Sequence, residues 1–169
     1  VEDPPTTISA IGDKYYFDDD QEFPDMQQVT FEFAGAGDEV GKRKMLVYEQ
    51  RLWSTNYPFN VDAGAEFFGT EGRMFLSKRG KFEILGDRNR RMDTTLTEST
   101  TPSVADHQQN WIDCIRSGER PNADIGIAHR TATAVHLGNI ASRVNRTLRF
   151  DLDSERSIDD PEANMLLGR

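Results

Sequence analysis

From Gln28 to Ala34 the chain reads QVTFEFA, with Val29, Phe31 and Phe33 on one side of an extended backbone and Thr30 and Glu32 on the other. That period of two predicts a half-buried strand. Thr6 to Phe17 is also rich in β-forming residues and is interrupted at Gly12-Asp13, which predicts a strand with a bulge or kink. Lys44 to Trp53 puts Met45, Val47, Glu49, Arg51 and Trp53 on one face and Leu46, Tyr48, Gln50 and Leu52 on the other. Both faces mix apolar and polar side chains, so each is expected to be partly covered. Ala65 to Leu76 reads as strand, tight turn, strand, with Gly69 and Gly72 placed for the positive φ that such turns use. Lys78-Arg79-Gly80-Lys81 then turns the chain into Phe82 to Leu85, a further strand. Strands joined by connections this short pair mainly antiparallel, because a parallel pair needs a crossover of about a dozen residues or more.

The period changes near Ser103. Ser103 with Asp106 makes an acidic capping box, and Val104, Trp111, Ile112 and Ile115 form an apolar stripe that ends at Gly118. Asp124 caps a longer helix in which Ile125, Ala128, Ala132, Val135, Gly138, Ala141 and Val144 recur on one side. This stripe of small residues lets a helix lie close to a sheet. Asn145 suits the left-handed position that ends it, Thr147 to Phe150 is a last strand, and Pro161 opens a final helical turn over Glu162 to Leu167. Strands followed by helices indicate α+β: a mainly antiparallel open sheet of about six strands with helices packed on one face, in a single domain spanning 1–169. Asp87 to Thr101, carrying Arg88, Arg90 and Arg91, is expected to be a long solvated surface loop.

Composition narrows the partners. The net charge is -9 and apolar residues make up 36% of the chain. An acidic surface repels phosphate backbones and anionic lipid, which argues against nucleic acid and membrane surfaces. No stretch approaches a membrane-spanning length of about 18 apolar residues. The one cysteine, Cys114, excludes an internal disulfide and is expected to be buried and inert in its helix.

Candidate chemistry is sparse. Asp18-Asp19-Asp20 lacks the alternating acids, central glycine and late glutamate of a calcium loop, so it reads as solvated. Gly35-Ala36-Gly37 lacks the third glycine and following helix of a phosphate cradle. Of the three histidines, His107 lies on the first helix, while His129 and His136 lie seven apart on the second. No metal-ligand spacing links them, and His129 and His136 are expected to bridge the seam between helix and sheet. No metal site is expected, and neither a Ser-His-Asp ordering nor a nucleophile elbow is present.

One resemblance goes further. His107-x-x-Asn110-Trp111-Ile112-Asp113-Cys114-Ile115-Arg116-Ser117-Gly118-Glu119-Arg120-Pro121-Asn122-Ala123 resembles a segment HxxNFxDCIRSxxxPxA. Ala128-His129-Arg130, His136 to Ala141, Leu148 to Asp151, Asp160 and Glu162-Ala163-Asn164 follow it, while Glu22-Phe23-Pro24-Asp25 and Phe67 to Gly72 precede it. From about Thr6 to Arg169 the chain is similar to the C-terminal domain of bacterial Gfo/Idh/MocA-type oxidoreductases. The resemblance implies an α+β domain with helices on one sheet face and an open face used for substrate contacts and homo-oligomerisation. It also implies an upstream Rossmann domain binding NAD or NADP, carrying a catalytic Lys in E-K-P, and a D-x-x-x-H element before this domain. Neither motif occurs here, and no dinucleotide-binding glycine fingerprint does. The chain is therefore expected to hold no cofactor and no catalytic residue of its own, and to rely on its own N-terminal Rossmann domain in a longer parent.

Sugars, polyols and their derivatives are the substrates the resemblance implies. Arg51, Trp53 and Glu66 suit such a ligand, since an aromatic face stacks on C–H groups while Arg and Glu bridge hydroxyls; His107 is the next candidate. Equally, Trp53 and its face could pack against another subunit. Two further classes stay open: a self-associating, non-catalytic binding module, and part of an NAD-dependent glycosidase. Relatives occur with and without export signals, which fits cytoplasm or periplasm alike.

Overall fold

A computed structural model of the chain describes residues 3–35, 41–92 and 103–168. They fall into two compact units, one built from Val1–Trp53 and Ala123–Arg169, the other from Ser54–Asn122. The architecture is α+β, every strand pair is antiparallel, and the strands divide between two sheets.

The first unit holds β1 (Thr7–Asp13), β2 (Met26–Phe33), β3 (Lys44–Arg51), α2 (Ile125–Val144), β7 (Leu148–Asp151), β8 (Arg156–Ser157) and α3 (Pro161–Met165). Its sheet runs β3-β2-β1-β7-β8, so β3 is an edge. The alternation of β2 is realised as expected: Val29 and Phe31 are buried against α2, while Glu32 is exposed. Ile8, Leu137, Leu148 and Ala141 complete a dry core with almost no exposed surface. Asp124 caps α2 by accepting from the Gly126 N–H, and Asn145 ends it in the left-handed region at φ 52°. β8 was not foreseen; it is two residues long, too short for any sequence period to register.

Two helical glycine and side-chain details set how closely α2 approaches β2. A Cβ on Gly138 would stand 3.3 Å from the Phe31 ring and from both Val29 methyls, tighter than ordinary contact. Beside it the buried Gln27 amide donates to the Ser142 hydroxyl at 2.8 Å. The expected stripe of α2 is realised only in its second half. Leu137, Gly138, Ile140, Ala141 and Val144 are buried, whereas Ile125, Ala128, Ala132 and Val135 are exposed.

The second unit holds β4 (Gly64–Phe68), β5 (Arg73–Ser77), β6 (Phe82–Leu85) and α1 (Val104–Ser117). The three strands form a meander in the order β4-β5-β6. Gly80 takes a positive φ of 82° in the β5–β6 turn. Gly69 and Gly72 do not adopt positive φ, contrary to expectation. Gly72 is needed for space instead: a Cβ there would collide with the Leu85 carbonyl oxygen. α1 carries the expected capping box between Ser103 and Asp106 and ends at Gly118 with φ 75°. Its apolar stripe is exposed, with Trp111 at 59% and Ile115 at 64%. Cys114 is only half-buried and accepts weakly from the Asn110 amide at 3.8 Å. The expected loop over Asp87 to Thr101 begins as a short 3-10 turn, Asp87–Asn89, and Arg91 bridges back to Leu85; its remainder from 93 onward lies outside the described residues.

Candidate functional site

β3 is the strand around which the candidate chemistry collects in the first unit. Its residues from Lys44 to Glu49 are all exposed, so the expected partial cover of both faces is not supplied among the described residues. The reason is geometric: α2 packs over β1 and part of β2, leaving the edge strand beyond its reach. On the α2 side this leaves a groove of about 550 Å³. Leu46, Tyr48, Gln50 and Leu52 of β3 and its continuation line it, with Phe31 and Phe33 of β2 and Thr131, Ala134 and Val135 of α2 across from them. The groove is in the size range of small-molecule sites. Its polar groups are few and already engaged: the Tyr48 hydroxyl donates to Gln50 Oε1 at 2.7 Å, and the Gln50 amide donates to the Pro24 carbonyl at 3.0 Å. Burial pushes the Tyr48 phenol up, so it stays a neutral donor.

The opposite face of β3 carries two of the residues expected to touch substrate. Arg51 closes the strand and holds Glu49 at 2.7 Å through its Nε. Trp53 follows, 38% exposed, with its ring 6.0 Å from that of Tyr16 and tilted 30° to it. Tyr16 in turn meets Phe17 edge-on at 5.1 Å.

This aromatic loop has an unusual anchor. Asp25 is completely buried. Its Oδ1 accepts from the Tyr15 N–H at 2.9 Å, and its Oδ2 accepts from Tyr16 and Phe17 N–H at 2.8 and 2.7 Å. Its backbone carbonyl accepts from the Leu52 N–H at 2.9 Å, next to Trp53. Burial alone would raise the carboxyl; the amides of Phe17, Tyr15 and Tyr16 outweigh it and hold Asp25 below the usual carboxylate range. The nearby triple aspartate is solvated, as expected, with Asp19 paired to Lys14.

Glu66 and His107, the other two expected contacts, lie in the second unit. Glu66 sits on β4 and is paired with Arg73 of β5. His107 lies in the first turns of α1, exposed. The structure thus associates Arg51 with Trp53, at one strand end, and places Glu66 and His107 on separate elements of the other unit. His129 and His136 do not bridge helix and sheet: both are exposed, and His129 Nε2 meets Glu155 at 2.8 Å. Among the described residues no group of three His, Cys, Asp or Glu could hold a metal. Tyr16 and Asp25 were missed as site residues. Asp25 stood in a quoted motif, but its three amide partners, nine to ten and eight residues away, form no spacing a sequence period could reveal.

Comparison with known proteins places this geometry. The family model described as "Oxidoreductase family, C-terminal alpha/beta domain", of the Gfo/Idh/MocA type, matches residues 62–169, more than half of the chain. No curated protein matches the chain. Among solved structures, an oxidoreductase from Agrobacterium radiobacter in complex with NAD+, L-tartaric acid and magnesium matches with a TM-score of 0.57 and 16% identity, over 86% of this chain and 43% of its own. The oxidoreductase yvaA from Bacillus subtilis matches at 0.55 and 12% identity, over 88% of this chain and 46% of its own. An NAD-binding protein from Listeria innocua matches at 0.50 and 15% identity, over 88% and 42%. At these identities the likeness is one of fold, and the chain spans less than half the length of each. The family match and the shared fold agree, and the chain belongs to the Gfo/Idh/MocA oxidoreductase family as its C-terminal α/β domain.

Proposed function

We propose that this chain is the substrate-binding and assembly part of an NAD(P)-dependent oxidoreductase acting on a sugar, polyol or derivative, its cofactor held by a Rossmann domain elsewhere in the parent protein. The observation that carries this reading is β3: an edge strand exposed from Lys44 to Glu49 on both faces, with Met45, Leu46, Val47 and Tyr48 each more than 40% exposed. Free strand edges with apolar side chains are normally covered. One face supplies a self-association surface, while Arg51 and Trp53 at the strand end contact the substrate. The Agrobacterium relative was solved with NAD+, which supports the cofactor class of the parent. The chain by itself transfers no hydride and belongs to one domain of its parent.

Calorimetric titration with NAD and with NADP, beside light scattering for mass, tests this. A dimeric or larger mass without cofactor heat is the expected result. Saturable cofactor binding by these 169 residues would overturn the division of labour. A monomeric mass at all concentrations would remove the assembly role.

A further inference from the structure

The groove beside α2, within the first unit, is floored by one face of two strands. Register sets Val29 opposite Tyr48, Phe31 opposite Leu46 and Gln27 opposite Gln50, so these side chains share the α2 side of the sheet. α2 packs over β1 and only part of β2. A helix is about 10 Å across and strands lie about 4.8 Å apart, so one helix roofs roughly two strands. The rest of this face, over β2 and β3, has the width of one further helix. β3 runs for 8 residues, about 26 Å, which about 17 helical residues match. Among the described residues nothing roofs Leu46 and Tyr48, which are 49% and 43% exposed.

α2 offers a side to such a neighbour. Leu137, Ile140, Ala141 and Val144 turn into the core. Thr131, Ala134 and Val135, spaced i, i+3 and i+4, line the groove instead. Side chains this short let two helices approach to about 8–10 Å. A small ligand fits less well. Small-molecule sites orient their ligand through a few convergent polar groups. Here Gln27, Tyr48 and Gln50 donate to Ser142, to Gln50 and to the Pro24 carbonyl.

The rim of the groove favours one occupant. Asp3, Pro4 and Pro5 border it, Pro5 is fully buried, and the Thr6 N–H donates to the Glu32 carbonyl at 2.9 Å. The backbone leading into β1 is therefore fixed beside the uncovered face. Pro commonly stands just past a helix end because it cannot continue the helix, and the residue before it disfavours helical angles. A helix in the residues before Pro4 stops at this rim. The chain spans less than half of each solved structure that shares its fold, which leaves length for such a segment.

We infer that the groove seats an amphipathic helix of about 17 residues from the parent segment immediately before Val1, its apolar side on Leu46, Tyr48 and Val135. This rests on the reading above that a longer parent protein carries this chain. The α2 side of β3 is then closed within one polypeptide, and only the face bearing Met45 and Val47 is left for a second copy.

Thiol labelling tests the seat. In a Cys114→Ala background, Val135→Cys probes the groove and Val47→Cys the opposite face, at positions 58% and 49% exposed. A water-soluble maleimide is reacted with this chain, with this chain extended by the parent's preceding stretch of about 25 residues, and with the full-length parent. The expected result is that Val135→Cys reacts at least about tenfold more slowly in both longer proteins, at a rate independent of protein concentration. Val47→Cys keeps one rate in this chain and its extension, and the extension adds helical signal in far-UV circular dichroism. Equal Val135→Cys rates in all three proteins, or an extension without added helix, overturns the inference. Protection that grows with protein concentration, or that appears equally at Val47→Cys, means a second copy fills the groove and overturns it too. Protection in the full-length parent alone puts another part of the parent there; the inference fails and the oxidoreductase reading stands. A gene that encodes no residues before Val1 removes both.

Discussion

Asp25 has no exposed surface and yet carries a charge that its neighbours sustain. Three amide hydrogens converge on its two oxygens, and an Asn in its place would turn an N–H toward an N–H. Asp25→Asn is expected to lower the melting temperature by roughly 3–8 °C at pH 7, measured by calorimetry or circular dichroism. The pH dependence follows from the sign of the shift. Its folded carboxyl titrates below its unfolded value, near 3.9, so its stabilisation is fully present above that value and is lost as pH falls through the folded one. The gap between wild type and Asp25→Asn should therefore be flat from pH 7 to about 5 and close below about pH 4. Asp106 and Asp160 are lowered in the same direction, by Ser103 and by Arg146, so acid weakens several links together. Gly72 teaches a different lesson. The sequence marks it as a turn residue, but what it supplies is room for the Leu85 carbonyl. Gly72→Ala is expected to cost about 1–3 kcal/mol by denaturant titration, through displacement of the β5–β6 pair. A cost near zero would mean the strand shifts freely.

At the scale of elements, α2 joins two kinds of helix. Its second half is a core helix whose approach to β2 depends on Gly138. Gly138→Leu should destabilise by about 1–3 kcal/mol, read from urea unfolding, because its Cβ alone would stand 3.3 Å from the Phe31 ring and the Val29 methyls. Ile125→Ser, in the first half, should fall within about 0.5 kcal/mol of wild type, since Ile125 is 81% exposed. The contrast between these two substitutions measures how far the buried part of the helix extends. A period of small residues identifies a helix suited to close packing, but it does not encode which of its turns are buried.

At the scale of the molecule, the exposed edge of β3 and the net charge of -9 oppose one another. Apolar surface favours pairing of copies, while like charge repels them. Raising salt from about 20 to about 200 mM shortens the screening length from roughly 20 Å to below 10 Å. Self-association through this face should strengthen accordingly in sedimentation or light scattering. Val47→Lys, on the open face and 49% exposed, should shift the mass toward monomer without changing the far-UV spectrum. An unchanged mass would move the contact to another surface.

Sequence by itself determined the order of strands and helices, the antiparallel pairing, the helix caps at Ser103, Asp124, Gly118 and Asn145, and the family. These depend on local periods, on capping chemistry a few residues long, and on motifs spread along the chain. The candidate site was legible only in part: Arg51 and Trp53 came from the open substrate face that the family resemblance implies, and their contacts with Glu49 and Tyr16 did not come from the sequence. Tertiary structure alone decided that β3 is a bare edge, that α2 covers only part of its sheet, and that Asp25 ties Tyr16 to the strand end bearing Trp53. The physical reason is that burial and contact depend on which distant segments fold beside one another, and the polarity of a residue does not encode where its neighbours stop.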